Sequence, residues 1–521
     1  MHRASRRDAE RERDATPIAG RSRPYLLSAA LLVLAIGVWT CWSVTVDDAY
    51  ITYRYTEHLA RGFGPTWNPG SDPVEGYTNF LWMVWHVPWV WAGVPLPIVS
   101  KLTATACAVA IVWILATEPR TRTGAAAATT SFVLSLPTWV HVDGGLETAP
   151  FALVVLRSVV LVARLLRTRD TVVHPWELPT LLLVAGMLRP DGILAVAPPL
   201  AVWVFLRRDD GRTWCWVAVG VVLGAIYTTW RWIYFGHPLP NTFYVKVGVE
   251  AAADLQWVTT TLALLLPLLL LLVVGLVRTP TAAPAALVLA SCAALYMIPA
   301  FTAPAMDYLS RFAWHGFPLL CLGAAWTLDA IERSRLAAVI AVIAVGWTSL
   351  AGFVHPDGPT MVNYGQDLRR GHTAIGLGLA DADLPADRRS VAMTDAGAIP
   401  YFSGWHATDY IGLNDERIAH GVGPTEVLVS DDPTVIVATG STAEMPKRSW
   451  ETDLPSAVGD RELVAVVQVR PAYYEQVYAD RDVADRIRAS LKRRLDEAEA
   501  MSDGRLDQSY TRWFDRLVGA R

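Results

Sequence analysis

Two adjacent carboxylates, Asp47 and Asp48, follow closely on the first strongly apolar segment of the chain, residues 25–44. This segment is long enough to cross the hydrocarbon core of a membrane as a helix, which takes about 20 residues. The acids therefore lie at the predicted lipid–water boundary, where carboxylates are costly to desolvate and are not needed to anchor a helix. A carboxylate pair at this depth suits chemistry on a substrate with a tail in lipid and a head group in water.

The type of chemistry follows from the carboxylate itself. It could remove the proton from an acceptor hydroxyl or stabilise an oxocarbenium-like centre. One carboxylate would suffice, and the other could bind the acceptor or a divalent cation. The alternative interpretation is a solvated helix cap, but the nearby Tyr50, Tyr53 and Tyr55 favour a site. We therefore predict that Asp47 and Asp48 are catalytic and, at an exposed boundary, that truncating either costs little stability.

Four cations near the same predicted boundary could bind a phosphate group: Arg54, Arg189, Lys246 and Arg311. Arginine can bind phosphate through two parallel hydrogen bonds. Arg189 is the sharpest candidate because its motif, R-P-D-G, interrupts an apolar run. Asp191 in the same motif could equally be its ion-pair partner, which would make the motif structural.

The remaining candidates for substrate binding are polar residues in short motifs of the same predicted loops. They are Glu75, Tyr77 and Asn79 in V-E-G-Y-T-N, Glu147 in G-L-E-T, Asp191 in R-P-D-G and Asn241 in P-L-P-N-T. Glu75 could bind sugar hydroxyls, and Glu147 could do so or cap the following helix. The histidines of these loops show no zinc-ligand spacing, so no metal ligand is assigned. The chain also lacks the glycine-rich motifs of nucleotide-binding folds.

The elements that must position these residues are membrane-spanning helices. Of the 521 residues, 53% are hydrophobic and only 18% are charged, against about 25% in soluble domains. The net charge of −4 argues against nucleic acid as a partner. After 25–44, further spans are predicted at 97–117, 124–140, 148–166, 178–189, 191–206, 213–233, 257–278, 282–301, 314–332 and 336–353.

The apolar stretch 77–93 decides the orientation of the whole chain. It carries four tryptophans and Pro88, which favour a helix lying at the membrane surface rather than a span. With this assignment and the N-terminus inside, the basic connections at 119–123, 164–170, 207–212, 278 and 333–335 all fall on the cytoplasmic side, as the Lys/Arg bias requires. The sequence thus predicts about eleven spans in the plasma membrane, a cytoplasmic N-terminus and an extracytoplasmic C-terminus.

The chain divides into three predicted regions. Residues 1–24 are Arg-rich, polar and predicted to be disordered. Residues 25–353 form the transmembrane domain, whose first extracytoplasmic loop, 45–96, carries the interfacial helix. Residues 354–521 form an extracytoplasmic α/β domain, in which 390–395, 434–439 and 463–469 read as strands and 480–500 as an amphipathic helix.

Several of these motifs resemble the GT-C superfamily of polyprenyl-phosphate-sugar-dependent glycosyltransferases. The likeness rests on D-D-A-Y-I-T-Y-R-Y after the first span, followed by G-F-G-P-T-W-N-P-G and V-E-G-Y-T-N-F-L-W. Within the superfamily the chain is similar to the actinobacterial terminal arabinofuranosyltransferase group, with which it shares G-L-E-T, R-P-D-G, P-L-P-N-T-F-Y and D-A-G-A-I-P-Y-F-S-G. The likeness covers most of 45–415.

This resemblance implies a polytopic GT-C fold and an aspartate at 47 or 48 as the catalytic carboxylate. It implies decaprenyl-phosphoryl-arabinose as donor, a cell-wall arabinan or related glycan as acceptor, and membrane lipid as surroundings. Three alternatives stay open: a transferase for another polyprenyl-phosphate sugar such as mannose, a transporter or flippase of a lipid-linked glycan, and a non-enzymatic assembly protein that keeps the fold for partner binding.

Overall fold

The computed structural model describes residues 23–168, 173–247, 254–278, 280–302, 306–331 and 333–501. Most of the predicted N-terminal segment 1–24 lies outside these residues, but its last two residues already belong to the first helix. Before the C-terminal domain the helices are α1 Arg23–Cys41, α2 Asp47–Ala60, α3 Phe80–Trp91, α4 Leu96–Thr117, α5 Arg122–Val133, α6 Leu136–Asp143, α7 Thr148–Thr168, α8 Glu177–Leu188, α9 Gly192–Leu206, α10 Gly211–Phe235, α11 Asn241–Val247, α12 Leu255–Leu276, α13 Ala282–Thr302, α14 Arg311–Trp314, α15 Phe317–Asp329 and α16 Ser334–Phe353.

Seven of the described helices are long and apolar enough to cross a membrane: α1, α4, α7, α10, α12, α13 and α16. Three shorter apolar helices, α8, α9 and α15, correspond to the predicted spans 178–189, 191–206 and 314–332. The chain is therefore a polytopic helical membrane protein. The side of the membrane on which each loop lies remains a prediction.

Two predicted spans differ from the structure. The segment 124–140 is not one helix, because the chain breaks between Val133 and Leu136 before continuing as α6. Pro137 accounts for the break, since a proline lacks the backbone N–H and disfavours helical conformation in the residue before it. Similarly, 314–332 begins with the separate turn α14, and its main helix starts only at Phe317, with a proline in its first turn.

The stretch 77–93 forms the single helix α3, which has 12 residues. A helix of this length rises about 18 Å, whereas the hydrocarbon core is about 30 Å thick. Its length therefore agrees with the prediction that this stretch does not span the membrane.

The C-terminal region is an α/β domain, as predicted. It comprises α17 Gly358–Leu368, a wide helical turn at Arg369–Thr373, α18 Ala374–Ala380, β1 Ser390–Met393, α19 Ala398–Ser403, β2 His406–Asp409, α20 Glu416–Ala419, α21 Pro424–Asp431, β3 Val435–Gly440, β4 Arg448–Ser449, β5 Thr452–Asp453, α22 Leu454–Val458, β6 Glu462–Arg470, β7 Tyr473–Ala479 and α23 Ala484–Ala500. The main sheet has the order β2-β1-β3-β7-β6. Strands β2, β1 and β3 are parallel, and β7 is antiparallel to β3 and β6.

This domain shares a hydrophobic core with the first loop of the membrane domain. Ile51 and Tyr55 of α2 and Met83 of α3 belong to the same buried cluster as residues of β1, β3, β7 and α23. Part of the core of the C-terminal domain is therefore closed by α2 and α3, and the domain is docked on the membrane domain over this face.

Candidate active site

Both carboxylates lie in the first turn of α2, which begins at Asp47. The residue before it, Val46, donates its backbone N–H to the carbonyl oxygen of Gly144 at 3.0 Å, which fixes the start of the helix against the turn after α6. The N-terminus of a helix carries partial positive charge, which favours acids in its first turn. The two side chains share this helical turn but have different surroundings.

Asp47 is buried, with 5% of its surface exposed. Its carboxylate accepts hydrogen bonds from the backbone N–H groups of Gly397 and Ala398, both at 2.9 Å. It also pairs with Nδ1 of His372 at 2.9 Å. All three partners belong to the C-terminal domain, so the expectation that Asp47 is an exposed acid is wrong.

Gly397 shows how closely the two domains approach at this point. A Cβ atom at this position would lie 2.0 Å from the carbonyl oxygen of Asp47 and 2.4 Å from its Oδ2. Any side chain here would push the C-terminal domain away from α2. The glycine of the motif D-A-G-A is thus required by the contact with Asp47.

A buried network of charges extends behind Asp47. Nε2 of His372 lies 3.2 Å from Oε1 of Glu475, which has no exposed surface. Burial disfavours the charged imidazole, but the carboxylates of Glu475, Asp47 and Asp395 outweigh it and raise the pKa of His372 to about 10. Burial likewise raises the pKa of Glu475 to about 8, opposed by His372. The pKa of Asp47 is lowered, because His372 and the two backbone donors outweigh burial.

Asp48 faces the membrane domain and is only half-buried. Burial raises the pKa of its carboxyl group, while the positive charges of Arg311 and Lys246 act in the opposite direction. The structure therefore brings together an acid and two of the four predicted cations. Unlike Asp47, Asp48 remains partly accessible to a ligand.

Arg311 lies at the start of α14, with its guanidinium 4.9 Å from the ring centre of Phe312. Its buried Nε has no hydrogen-bond acceptor among the described residues. A buried donor without a partner is costly, and a phosphate oxygen would satisfy it. Arg189 packs on the same ring at 5.1 Å, so the ring of Phe312 is shared by both guanidinium groups.

Arg189 is tied to two carboxylates. It makes a bidentate ion pair with Asp191, at 3.0 and 3.1 Å, and its Nη1 lies 3.2 Å from Oε1 of Glu147. The other oxygen of Glu147 accepts a hydrogen bond from Nδ2 of Asn79 at 2.9 Å. These contacts agree with the structural interpretation of R-P-D-G, in which Asp191 is the ion-pair partner of Arg189. Four predicted site residues thus form one network beside Arg311, and their role in binding substrate stays a prediction.

Arg54 and Asn241 link the membrane domain to the C-terminal domain. Arg54 donates to the carbonyl oxygens of Trp67 and Trp405, both at 2.9 Å, and to that of Pro400. The amide of Asn241 donates to three carbonyl oxygens, those of Gly412, Leu413 and Asp415. The hydrogen-bond donors of both side chains are engaged by protein oxygens. These contacts do not place either residue beside Asp48, Arg311 and Lys246.

Glu75 and Tyr77 lie on another side of α2. Glu75 forms a bidentate ion pair with Arg231, whose Nε lies 2.7 Å from Oε1. Tyr77 is buried with its hydroxyl unpaired within the described residues, and its ring meets that of Tyr55 at 4.8 Å. Glu75 and Arg231 also line a cavity of about 300 Å³, whose other lining residues are mostly apolar residues of α8, α9 and α10.

Among the described residues, two groups could converge on a metal ion: Asp47 with His372 and Asp395, and His237 with Glu416 and His420. In the first group the imidazole of His372 lies between two carboxylates, with Nδ1 2.9 Å from Asp47 and Nε2 3.2 Å from Glu475. The contact with Asp47 joins the C-terminal domain to α2.

Sequence reasoning missed His372, Asp395 and Glu475. The motif D-A-G-A was recognised, but no role was given to its aspartate or its glycine. His372 stands in the wide helical turn Arg369–Thr373 and Glu475 in β7, and no local sequence pattern marks them as partners of Asp47.

Comparisons with known proteins support this architecture. The chain is similar to the crystal structures of ArnT from Cupriavidus metallidurans in the apo state and bound to undecaprenyl phosphate. The apo structure is 15% identical with a TM-score of 0.54, and the match covers 89% of this chain and 98% of that chain. For the undecaprenyl phosphate complex the identity is 13%, the TM-score 0.54, and the coverage 87% and 97%. At identities this low, the similarity shows a shared fold and does not show a shared activity.

The predicted architecture, a polytopic helical membrane protein with a C-terminal α/β domain, is confirmed by this likeness. Residues 362–488 match a family model described as a domain of unknown function (DUF8728). No curated protein matches the chain.

Proposed function

We propose that the protein is a membrane glycosyltransferase that moves a sugar from a polyprenyl-phosphate donor to a glycan on the extracytoplasmic face. The observation that carries the proposal is the half-buried Asp48 carboxylate beside the cations Arg311 and Lys246. An acid and a phosphate-binding cation pair are the two groups that this transfer needs. The sequence resemblance favours decaprenyl-phosphoryl-arabinose as donor and a cell-wall arabinan as acceptor.

In the proposed reaction Asp48 accepts the proton of the acceptor hydroxyl while that oxygen attacks the anomeric carbon of the donor. The bond between this carbon and the phosphate oxygen breaks, and polyprenyl phosphate leaves. Arg311, with its unpaired buried Nε, and Lys246 stabilise the charge on the departing phosphate. Asp47 takes no proton in this scheme, because its oxygens are held by the C-terminal domain.

The apolar cavity between α8, α9 and α10 offers a place for part of the isoprenoid chain. Its walls include Leu182, Leu183, Leu200 and Val221, and Glu75 and Arg231 also line it. ArnT, the structural neighbour, has been crystallised with undecaprenyl phosphate, which makes an isoprenoid phosphate the first ligand to test.

The decisive experiment incubates the purified full-length protein with a panel of polyprenyl-phosphate sugars, including arabinofuranose and mannose, and arabinan oligosaccharides. Mass spectrometry measures the extended glycan and the released polyprenyl phosphate. We expect both products in equal amounts with one donor and neither with Asp48→Asn. A mannosylated product would keep the enzyme class and change the sugar. No product with any donor, together with movement of intact lipid-linked glycan across liposomes, would establish the transporter instead.

A further inference from the structure

A second cluster of chemistry-bearing side chains joins the two domains away from Asp48. His237 follows α10, whereas Glu416 and His420 belong to the region of α20 in the C-terminal domain. Nε2 of His237 contacts a carboxylate oxygen of Glu416 directly. The rings of His237 and His420 are stacked with their centres 4.3 Å apart. One ligand atom from each of the three residues lies within 4.8 Å of the other two.

The ligand types and their spacing suit a transition metal. Zinc binds imidazole nitrogen and carboxylate oxygen at about 2.0–2.2 Å, which places donor atoms of one ion roughly 3.4 Å apart. Glu416 and His420 are four residues apart, and the backbone N–H of His420 donates to the carbonyl of Glu416 at 3.0 Å, so both side chains share one helical face. All three side chains are partly exposed, which leaves a path for the ion.

The backbone around the cluster is held in place by protein contacts. Asn241 donates to the carbonyl oxygens of Gly412, Leu413 and Asp415, which ties the segment after α10 to the loop before α20. The Asp415 carboxylate in turn caps α20 by accepting from the N–H groups of Arg417 and Ile418. A site whose ligands are carried by fixed backbone needs little reorganisation to bind an ion.

We propose that His237, Glu416 and His420 form a zinc site that clamps the segment after α10 to the C-terminal domain. The same segment supplies Leu239 and Pro240 to the wall of the apolar cavity. A bound ion would therefore fix one wall of that cavity as well as the domain contact. This assignment does not depend on the identity of the sugar.

The test uses the full-length protein with an affinity tag that contains no histidine, stripped of metal with EDTA. Zinc is titrated against a chromogenic chelator, and bound zinc is counted by mass spectrometry after dialysis. We expect about one zinc per chain. His237→Ala, His420→Ala and Glu416→Gln should each weaken zinc binding at least about tenfold, since even changes behind a ligand cost about 10–100-fold.

The matched control is His406→Ala, which removes an exposed histidine of the same domain on β2 and should leave zinc binding unchanged. Melting temperatures without metal show whether each variant is folded. Zinc should raise the melting temperature of the wild type and of the control, but not that of the double variant His237→Ala/His420→Ala. If the wild type and this double variant bind equal amounts of zinc, or gain equal thermal stability from it, the proposed site is wrong.

Discussion

The two acids that begin α2 are neighbours in sequence and belong to different regions of the molecule. Asp47 is enclosed by the C-terminal domain, with two backbone N–H groups and an imidazole on its oxygens. Asp48 is half-buried on the membrane-domain side, near Arg311 and Lys246. Successive residues of a helix point about 100° apart, because one turn takes 3.6 residues. A single step along the chain therefore separates a domain contact from a candidate catalytic base.

This difference shows that an Asp-Asp pair need not be a catalytic pair. The carboxylate whose oxygens are all used by the protein is held too firmly to exchange protons with a substrate. The carboxylate beside Lys246 and Arg311, whose Nε has no acceptor among the described residues, is the one that we propose for chemistry. The experiments below separate the two roles.

The largest expected effect is on turnover in Asp48→Asn. Loss of a general base typically lowers the rate by about 10²–10⁴-fold, while the amide keeps the size of the side chain. The melting temperature should change little, because Asp48 is half-buried and, among the described residues, makes none of the hydrogen bonds that tie Asp47 to the C-terminal domain. Asp72→Asn, at an exposed acid of the same loop, is the control and should keep full activity. Near-normal turnover in Asp48→Asn would remove Asp48 from the mechanism.

Asp47→Ala should instead destabilise the protein. It removes one partner of a buried ion pair and leaves His372 charged, which costs about 3–5 kcal/mol. We expect a lower melting temperature and faster proteolysis of the C-terminal domain. Asp48→Ala is the matched comparison, and equal melting temperatures for the two variants would contradict the division of roles.

Gly397→Ala tests the same contact from the opposite side. The added Cβ would lie 2.0 Å from the carbonyl oxygen of Asp47, so the domains must separate slightly. Overpacking of this kind costs about 1–3 kcal/mol. The control is Gly423→Ala, where a Cβ meets nothing within 4 Å and the backbone φ of −61° suits alanine. Thermal unfolding measures the melting temperatures of both variants, and equal values would refute the prediction.

The smallest effect is the pH dependence of domain docking. The pKa of His372 rises from 6.5 to about 10, so its contribution to stability is complete below pH 6.5 and is lost as the pH rises towards 10. The pKa of Glu475 rises from 4.5 to about 8, so burying its carboxyl group costs stability progressively as the pH rises from 4.5 to about 8. Proteolysis of the C-terminal domain should therefore increase between pH 7 and pH 10. In His372→Gln the increase should be smaller, and an unchanged profile would show that His372 does not control it.

Helices and strands with regular patterns were predicted well, because hydrophobic length and alternation are local properties. The prediction of helices and strands failed where a proline was given too little weight, or where a strand was too short or too polar to show a regular pattern. Pro137 divides the expected span 124–140, and β2 is only four residues long. Strand β7 was missed because Glu475 and Gln476, both fully buried, interrupt its apolar pattern.

The candidate site was located by sequence only in part. The sequence analysis selected charged residues near the predicted lipid–water boundary. The structure places three of them together: Asp48, Arg311 and Lys246. Arg54 and Arg189 carry the same charge and were chosen by the same reasoning, but their guanidinium groups are engaged by protein oxygens. Residue type and depth in the membrane do not reveal whether a charge is already paired.

By itself the sequence determined that this is a polytopic membrane protein with an acid pair after its first helix and an α/β domain at its C-terminus. Those features follow from apolar length, strand alternation and the placement of charges along the chain. Only the tertiary structure decided which acid is free, because Asp47 is paired with residues 325 to 351 positions later. Contacts across such separations depend on how two domains dock, and no local pattern in the chain encodes them.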